Sequence, residues 1–240
     1  MRLQAISGPR WRWITIGIAA LIVILIVAKI LHLRQFVHIG RLEPGWGPDT
    51  MYWQAEVLQQ SRRSQQIEGV AVFLGDSITV GLATSRVTAH SENFGINGDS
   101  IDGLLLRVPQ YQLAGARIIV VEIGINNWQL DRFTAFDAKY QRLLALLPKN
   151  VPIVATAIMP VNDHALYFKM GEGLQEKIRT ANRAIATECR RLKNCRFLDL
   201  SAALSDKANN LRPEYDVGDG IHLSTAAYAV WDRSLLPLIN

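Results

Sequence analysis

The chain opens with one unbroken apolar run and then breaks into short apolar segments separated by helix-patterned ones. Trp13 to Ala28, WITIGIAALIVILIVA, carries no charged residue, and after Lys29 the stretch ILHL prolongs the run to Leu33. About 20 apolar residues cross a bilayer, and a lysine near the end of a span can reach the interface. Residues 1–34 are therefore expected to hold an uncleaved transmembrane signal-anchor. A cleaved secretory signal and a buried core helix are the alternatives. Arg2, Arg10 and Arg12 give a basic leader, but the following AKILHLRQF offers no pair of small residues for a peptidase. The charge bias across the run is thin and points to a cytoplasmic N-terminus with the rest of the chain extracytoplasmic, periplasmic in a bacterium.

Residues 35–68 read as a juxtamembrane linker, LEPGWGP, followed by an amphipathic helix around TMYWQAEVLQQSRR. From residue 69 to 240 the pattern alternates. GVAVFLG, ARIIVVEIG, VPIVATAIM and CRFLDL are short, rich in β-branched residues and bounded by turn or charged residues, which predicts strands. Between them, FDAKYQRLLALLP and GLQEKIRTANRAIATECRRLKN repeat their apolar positions near 3.6 residues, which predicts helices. Such alternation implies an α/β domain with a parallel sheet and helices on both faces.

Charge and cysteine content narrow the function classes. The formal net charge is +5, but residues 1–34 hold five basic residues and no acid, leaving 21 basic against 21 acidic residues beyond them. The expected globular part is neutral, so no nucleic-acid partner is implied. Cys189 and Cys195 lack the companion His or Cys residues of a zinc site. Placed at a helix end and a strand start, they can form a disulfide, which would argue for an oxidising compartment; two free thiols are the alternative.

In a parallel α/β sheet, sites form outside the carboxyl ends of the strands. Gly75-Asp76-Ser77 follows the first strand, and NFGINGDS, with Asn97 and Gly98, stands near the next crossover. Asn126 and Asn127 follow ARIIVVEIG, and Asp219-Gly-Ile-His222 precedes the last helix. Each alone suits a cap, a turn or a surface histidine. Together they supply a nucleophile, a base, a carboxylate and donors for an oxyanion.

In this order the four segments resemble the SGNH hydrolase superfamily, the GDSL-type esterases and lipases. The match runs through GDSIT at Ser77, INGDS at Gly98, Gly124-Ile125-Asn126 and Asp219-Gly220-Ile221-His222. The resemblance covers about residues 69–240 and implies a three-layer α/β/α flavodoxin-like fold. It also implies a Ser77–His222–Asp219 triad, an oxyanion hole from the Ser77 and Gly98 N–H groups and the Asn126 amide, and no metal or organic cofactor. Two positions depart from the family pattern: Asn127 replaces an aspartate, and Asn97 stands where a glycine is common. Asp216 is the substitute for Asp219.

Asp76, Asn97, Asn127 and His164 are expected to line the substrate site, while His32, His38 and His90 carry no assigned role. The activity implied is hydrolysis of an acyl ester on an envelope glycan or a lipid. An acyltransferase with the same triad, or a membrane-tethered binding module without activity, are the alternatives. The partners expected are that ester and the membrane.

Overall fold

The computed structural model describes residues 47–130, 135–166 and 173–239. The expected anchor and most of the linker lie outside these residues; among the described residues no helix is long and apolar enough to cross a membrane. Five strands, β1 (Ala71–Gly75), β2 (Ser91–Gly95), β3 (Ile118–Glu122), β4 (Ile153–Thr156) and β5 (Cys195–Leu198), form one sheet in the order β2-β1-β3-β4-β5. Every neighbouring pair is parallel. The order reverses between β1 and β3, which makes their carboxyl ends the place where an open α/β sheet leaves a crevice.

β1, β3 and β4 are buried at every position. Their continuous apolar runs are what a strand covered on both faces requires. Side chains alternate in direction along a strand, and the core divides accordingly. Val72, Leu74, Ile119 and Val121 join one apolar cluster with α1 (Met51–Ser64), α3 (Ile101–Arg107), α4 (Phe136–Leu146) and α5 (Leu174–Arg190). Ala71, Phe73, Ile118 and Val120 join the other with α2 (Ser77–Val80), α6 (Ser201–Leu204) and α7 (Thr225–Ile239). The expected parallel sheet with helices on both faces is present.

Two features differ from the sequence reading. The strand β2 carries the polar sequence SENFG, whose first three residues are only half-buried because it lies at the sheet edge. The expected boundary at residue 69 moves toward the N-terminus, since Trp53 and Val57 of α1 enter the first core cluster and the Gln60 amide donates to the Gly95 carbonyl at 3.1 Å. That helix, expected as part of a linker, is a structural part of the domain.

The apolar stripe of α5, Leu174, Ile178, Ala181, Ile185 and Cys189, is buried and brings Cys189 to the start of β5. Cys189 and Cys195 form a disulfide with their Cα atoms 5.3 Å apart. In the chain-entropy account so short a loop restrains the unfolded chain modestly, so replacing both cysteines by alanine is expected to lower unfolding free energy by about 2 kcal/mol. Urea denaturation of the two forms measures this. Two alkylatable thiols in unreduced protein taken from its native compartment would contradict the bridge.

Candidate active site

All four sequence blocks meet at the carboxyl ends of β1 and β3. Ser77 is the first residue of α2, directly after β1. Asp76 caps that helix, its Oδ1 accepting from the Ile78 N–H at 3.0 Å. His222 arrives from a loop before α7 and sets Nε2 2.9 Å from the Ser77 Oγ. Its Nδ1 lies 2.6 Å from Asp219 Oδ2. A carboxylate can only accept, so Nδ1 carries the hydrogen and Nε2 is left to take the serine proton.

The loop that presents His222 is folded by its own carboxylates. Asp219 Oδ1 accepts from the N–H groups of Ile221 at 2.9 Å and His222 at 2.8 Å. Burial acts to raise the Asp219 pKa, but these two bonds and the ring contact outweigh it and hold the group below the usual carboxylate value. Asp216, the substitute considered for Asp219, instead accepts from the N–H groups of Gly218 and Gly220 at 2.8 and 3.0 Å. It shapes the turn and leaves the ring to Asp219.

Opposite the serine, Gly98 has φ +69° in the turn between β2 and α3. Its N–H donates to no protein acceptor among the described residues. The Ser77 N–H, at the first position of a helix, has no partner within that helix. The Asn126 amide donates to the Asp99 carbonyl at 2.9 Å, which fixes it beside the Gly98 turn. An amide nitrogen carries two hydrogens, so a second remains for another acceptor.

The four residues expected to line a substrate divide. Asp76 and Asn127 are fully buried, which removes both from any surface a substrate reaches. Asn127 holds α3 instead: its Oδ1 accepts from the Ile101 N–H at 3.1 Å and its amide faces Asp102 at 3.4 Å. An aspartate could take the first contact but would repel Asp102, so the departure from the family pattern has a local electrostatic reason. Asn97 is half-buried and donates to Tyr52 Oη at 3.1 Å. His164 is exposed, on a segment that rests against the histidine loop through the Asn162 N–H and the Gly220 carbonyl at 2.8 Å.

The support beneath these groups escaped the sequence reading. Arg107, fully buried, pairs through Nε with Asp99 Oδ2 at 2.7 Å, and Asp99 Oδ1 accepts from Trp53 Nε1 at 3.0 Å. The same guanidinium donates to the carbonyls of Gly75 at 2.9 Å and Phe94 at 2.8 Å and to Gln60 Oε1 at 2.9 Å. Burial opposes its charge, but Asp99 outweighs this and keeps Arg107 cationic. A signal was present in LLLRV, where one arginine closes an apolar helix. Among the described residues no group of three or more His, Cys, Asp or Glu could hold a metal ion.

An open parallel sheet with a serine at the end of its first strand, hydrogen-bonded to a distant histidine, defines the class of an α/β serine hydrolase. The sequence matches the GDSL-like lipase/acylhydrolase family over residues 73–230, and the chain belongs to that family and to the SGNH superfamily. It is an ester-hydrolysing serine hydrolase. Among curated proteins it is similar to the platelet-activating factor acetylhydrolase IB subunit alpha1 of Rattus norvegicus. Those two are 26% identical over 186 residues, 73% of this chain and 77% of the relative. The Homo sapiens counterpart is 25% identical over 73% of this chain and 78% of its own. The fold is similar to that of a chain from Streptococcus pneumonia, with TM-score 0.70 and 21% identity over 89% of this chain and 99% of that one. A GDSL-like lipase from Bacteroides thetaiotaomicron gives TM-score 0.62 and 18% identity over 77% and 97%.

Removing the cation from the buried pair leaves Asp99 desolvated and alone, so Arg107→Met is expected to destabilise the domain by about 3–5 kcal/mol. Because the two side chains share one interaction, Arg107→Met combined with Asp99→Leu should cost less than the sum of the single changes. Chemical denaturation of the three variants tests this; additive losses would show that the pair does not act as a unit.

Proposed function

We propose that Ser77, His222 and Asp219 form the catalytic triad and that the enzyme hydrolyses an ester with a small acyl group, acetyl foremost, carried by a lipid or a glycan. The observation that carries the reading is the Ser77–His222–Asp219 hydrogen-bonded chain, which joins residues 145 positions apart. The acyl size rests on the acetylhydrolase name of the curated relatives.

In the reaction His222 Nε2 takes the Ser77 proton as Oγ attacks the ester carbonyl. Asp219 keeps the ring in place and stabilises the imidazolium. The oxygen that becomes negative is met by the N–H groups of Ser77 and Gly98 and by the Asn126 amide. The intermediate collapses, the C–O bond to the alcohol breaks, and His222 returns the proton to that alcohol. Water, deprotonated by the same ring, then attacks the acyl-serine and releases the acid.

The His222 and Asp219 side chains keep 43% and 44% of their surface exposed. Solvent can thus approach the acyl-enzyme, which favours hydrolysis over transfer to a sugar. The retained donors and triad argue against an inactive binding module. We further propose that the run from Trp13 to Leu33 anchors the enzyme in a membrane, with the domain extracytoplasmic.

Ser77→Ala is expected to leave the fold intact, lower turnover of an acetyl ester by several orders of magnitude and abolish labelling by a fluorophosphonate. His222→Ala should be nearly as damaging, and the double variant hardly worse than either. Asn126→Ala should cost on the order of 10²–10³ in kcat, as for one oxyanion donor. Near-normal turnover in folded Ser77→Ala would overturn the triad. For the anchor, deletion of residues 1–34 is expected to release a soluble, active domain. Full-length protein recovered in the soluble fraction at its complete mass would contradict the anchor.

A further inference from the structure

The face of the sheet toward α7 carries a polar seam directly under the nucleophile turn. Glu122 ends β3 opposite Gly75 of β1. Continuing the β3–β4 register beyond Val121 and Ala155 puts Thr156 on its other side. Ile118, Val120 and Val154 face the cluster around Trp231, and strand alternation turns Glu122 and Thr156 to that same face. Over Gly75 lies the Thr79 hydroxyl, in space that a Cβ at residue 75 would fill.

Asp76, Thr79, Glu122 and Thr156 are each no more than 1% exposed. Asp76 Oδ2, Thr79 Oγ1, both Glu122 carboxyl oxygens and Thr156 Oγ1 have no protein hydrogen-bond partner. Buried polar atoms are normally satisfied, and a lone buried carboxylate is among the costliest exceptions. Among the described residues, the charged and titratable groups around the seam offer Glu122 no cation. Asp76 faces it from the nucleophile turn, with Tyr140 of α4 and Tyr228 of α7 also within electrostatic reach. Among the described residues the one buried cation, Arg107, is taken by Asp99, and His222 acts on Asp76.

We propose that Glu122 is a positioning residue, held as a neutral carboxylic acid, whose O–H donates to Asp76 Oδ2 directly or across one buried water. The other Asp76 oxygen already holds the Ile78 N–H and so sets where α2 begins and where Ser77 stands. The Gly124 N–H also acts on this carboxylate, and the Glu122 proton adds the donor that Oδ2 lacks. Burial, and then the neighbouring Asp76 charge, push the Glu122 pKa well above its ordinary value, and burial above all pushes Asp76 up to about 7. With one proton on Glu122, Asp76 can stay charged at the cap. Without it, two buried carboxylates would face each other.

This role rests on Ser77 being the nucleophile, so two kinds of readout are needed. The first is independent of activity. In the infrared difference spectrum of full-length protein against Glu122→Gln at neutral pH, wild type should show the carbonyl stretch of a buried carboxylic acid, absent from the variant. A folded-state pKa raised above the unfolded one also means that stability falls as pH rises from the ordinary glutamate value through the folded one. Wild type should therefore lose more thermal stability toward alkaline pH than Glu122→Gln.

The second readout is kinetic, on an acetyl ester. Glu122→Gln, whose neutral amide can still donate, should keep at least about half the wild-type kcat. Glu122→Leu should lose on the order of 10-fold in kcat with KM within about 2-fold, the pattern of a misplaced reacting group. Wild-type kcat in Glu122→Leu, or equal loss in Glu122→Gln, would overturn the positioning role. A spectrum without the acid band, or equal pH slopes, would overturn the neutral acid. Should Glu122→Leu not fold, the glutamine variant supplies both readouts. Absence of any esterase activity in wild type would refute the proposed function while the spectrum and the pH slopes still judge Glu122.

Discussion

The buried pair of Arg107 and Asp99 is the constraint on which the site depends. An arginine in the interior is tolerable only if its charge is matched and its N–H groups are used. Arg107 meets that condition with Asp99, Gln60 and the carbonyls of Gly75 and Phe94. Those carbonyls belong to the ends of β1 and β2, and Asp99 follows Gly98 in the next turn. One guanidinium thereby fixes the spacing between the strand that presents Ser77 and the turn that presents the Gly98 N–H. Asp99 passes the constraint on twice, through its carboxylate to Trp53 of α1 and through its carbonyl to Asn126. Donors that must meet a developing oxyanion without moving need such a rigid frame.

This explains why α1 is inseparable from the domain. Trp53 and Gln60 are both partners of the buried pair, and Gln60 also receives Tyr111 Oη at 2.8 Å. Without the helix, Asp99 would lose a donor and Arg107 an acceptor in a place water does not reach. A helix whose sequence shows only an amphipathic pattern is thus required by a buried ion pair it touches directly.

What could be read from the sequence follows from the same division. Ser77, Gly98, Asn126, Asp219 and His222 were legible as a candidate site, because each stands in a short motif of particular residue types and a parallel sheet gathers such loops at its strand ends. β1, β3 and β4 were legible because strands buried on both faces show continuous apolar runs. β2 was not, since an edge strand with half-buried Ser91, Glu92 and Asn93 carries no such run. Arg107, Asp99 and Glu122 were missed because periodicity reports that a face is buried and says nothing of a charge placed within it. The motif lets Asp76 hold the turn, as it does, but as lining residues Asp76 and Asn127 fail, because both are fully buried. A motif fixes which residues are near the chemistry, not which way each side chain turns.

Two aspartates complete the picture, because they have the same side chain and opposite environments. Asp219, nearly half exposed and supplied with two backbone N–H groups, is held in its charged form below the ordinary carboxylate range. Asp76, fully buried next to Ser77, is pushed up to about 7 by desolvation. Exposure suits the first, which meets an imidazole that is itself open to solvent. Burial suits the second, which caps a four-residue helix through the Ile78 N–H, because a desolvated carboxylate holds firmly to the donors it has. The environment, more than the residue type, separates the carboxylate held charged beside His222 from the one that fixes the turn carrying Ser77.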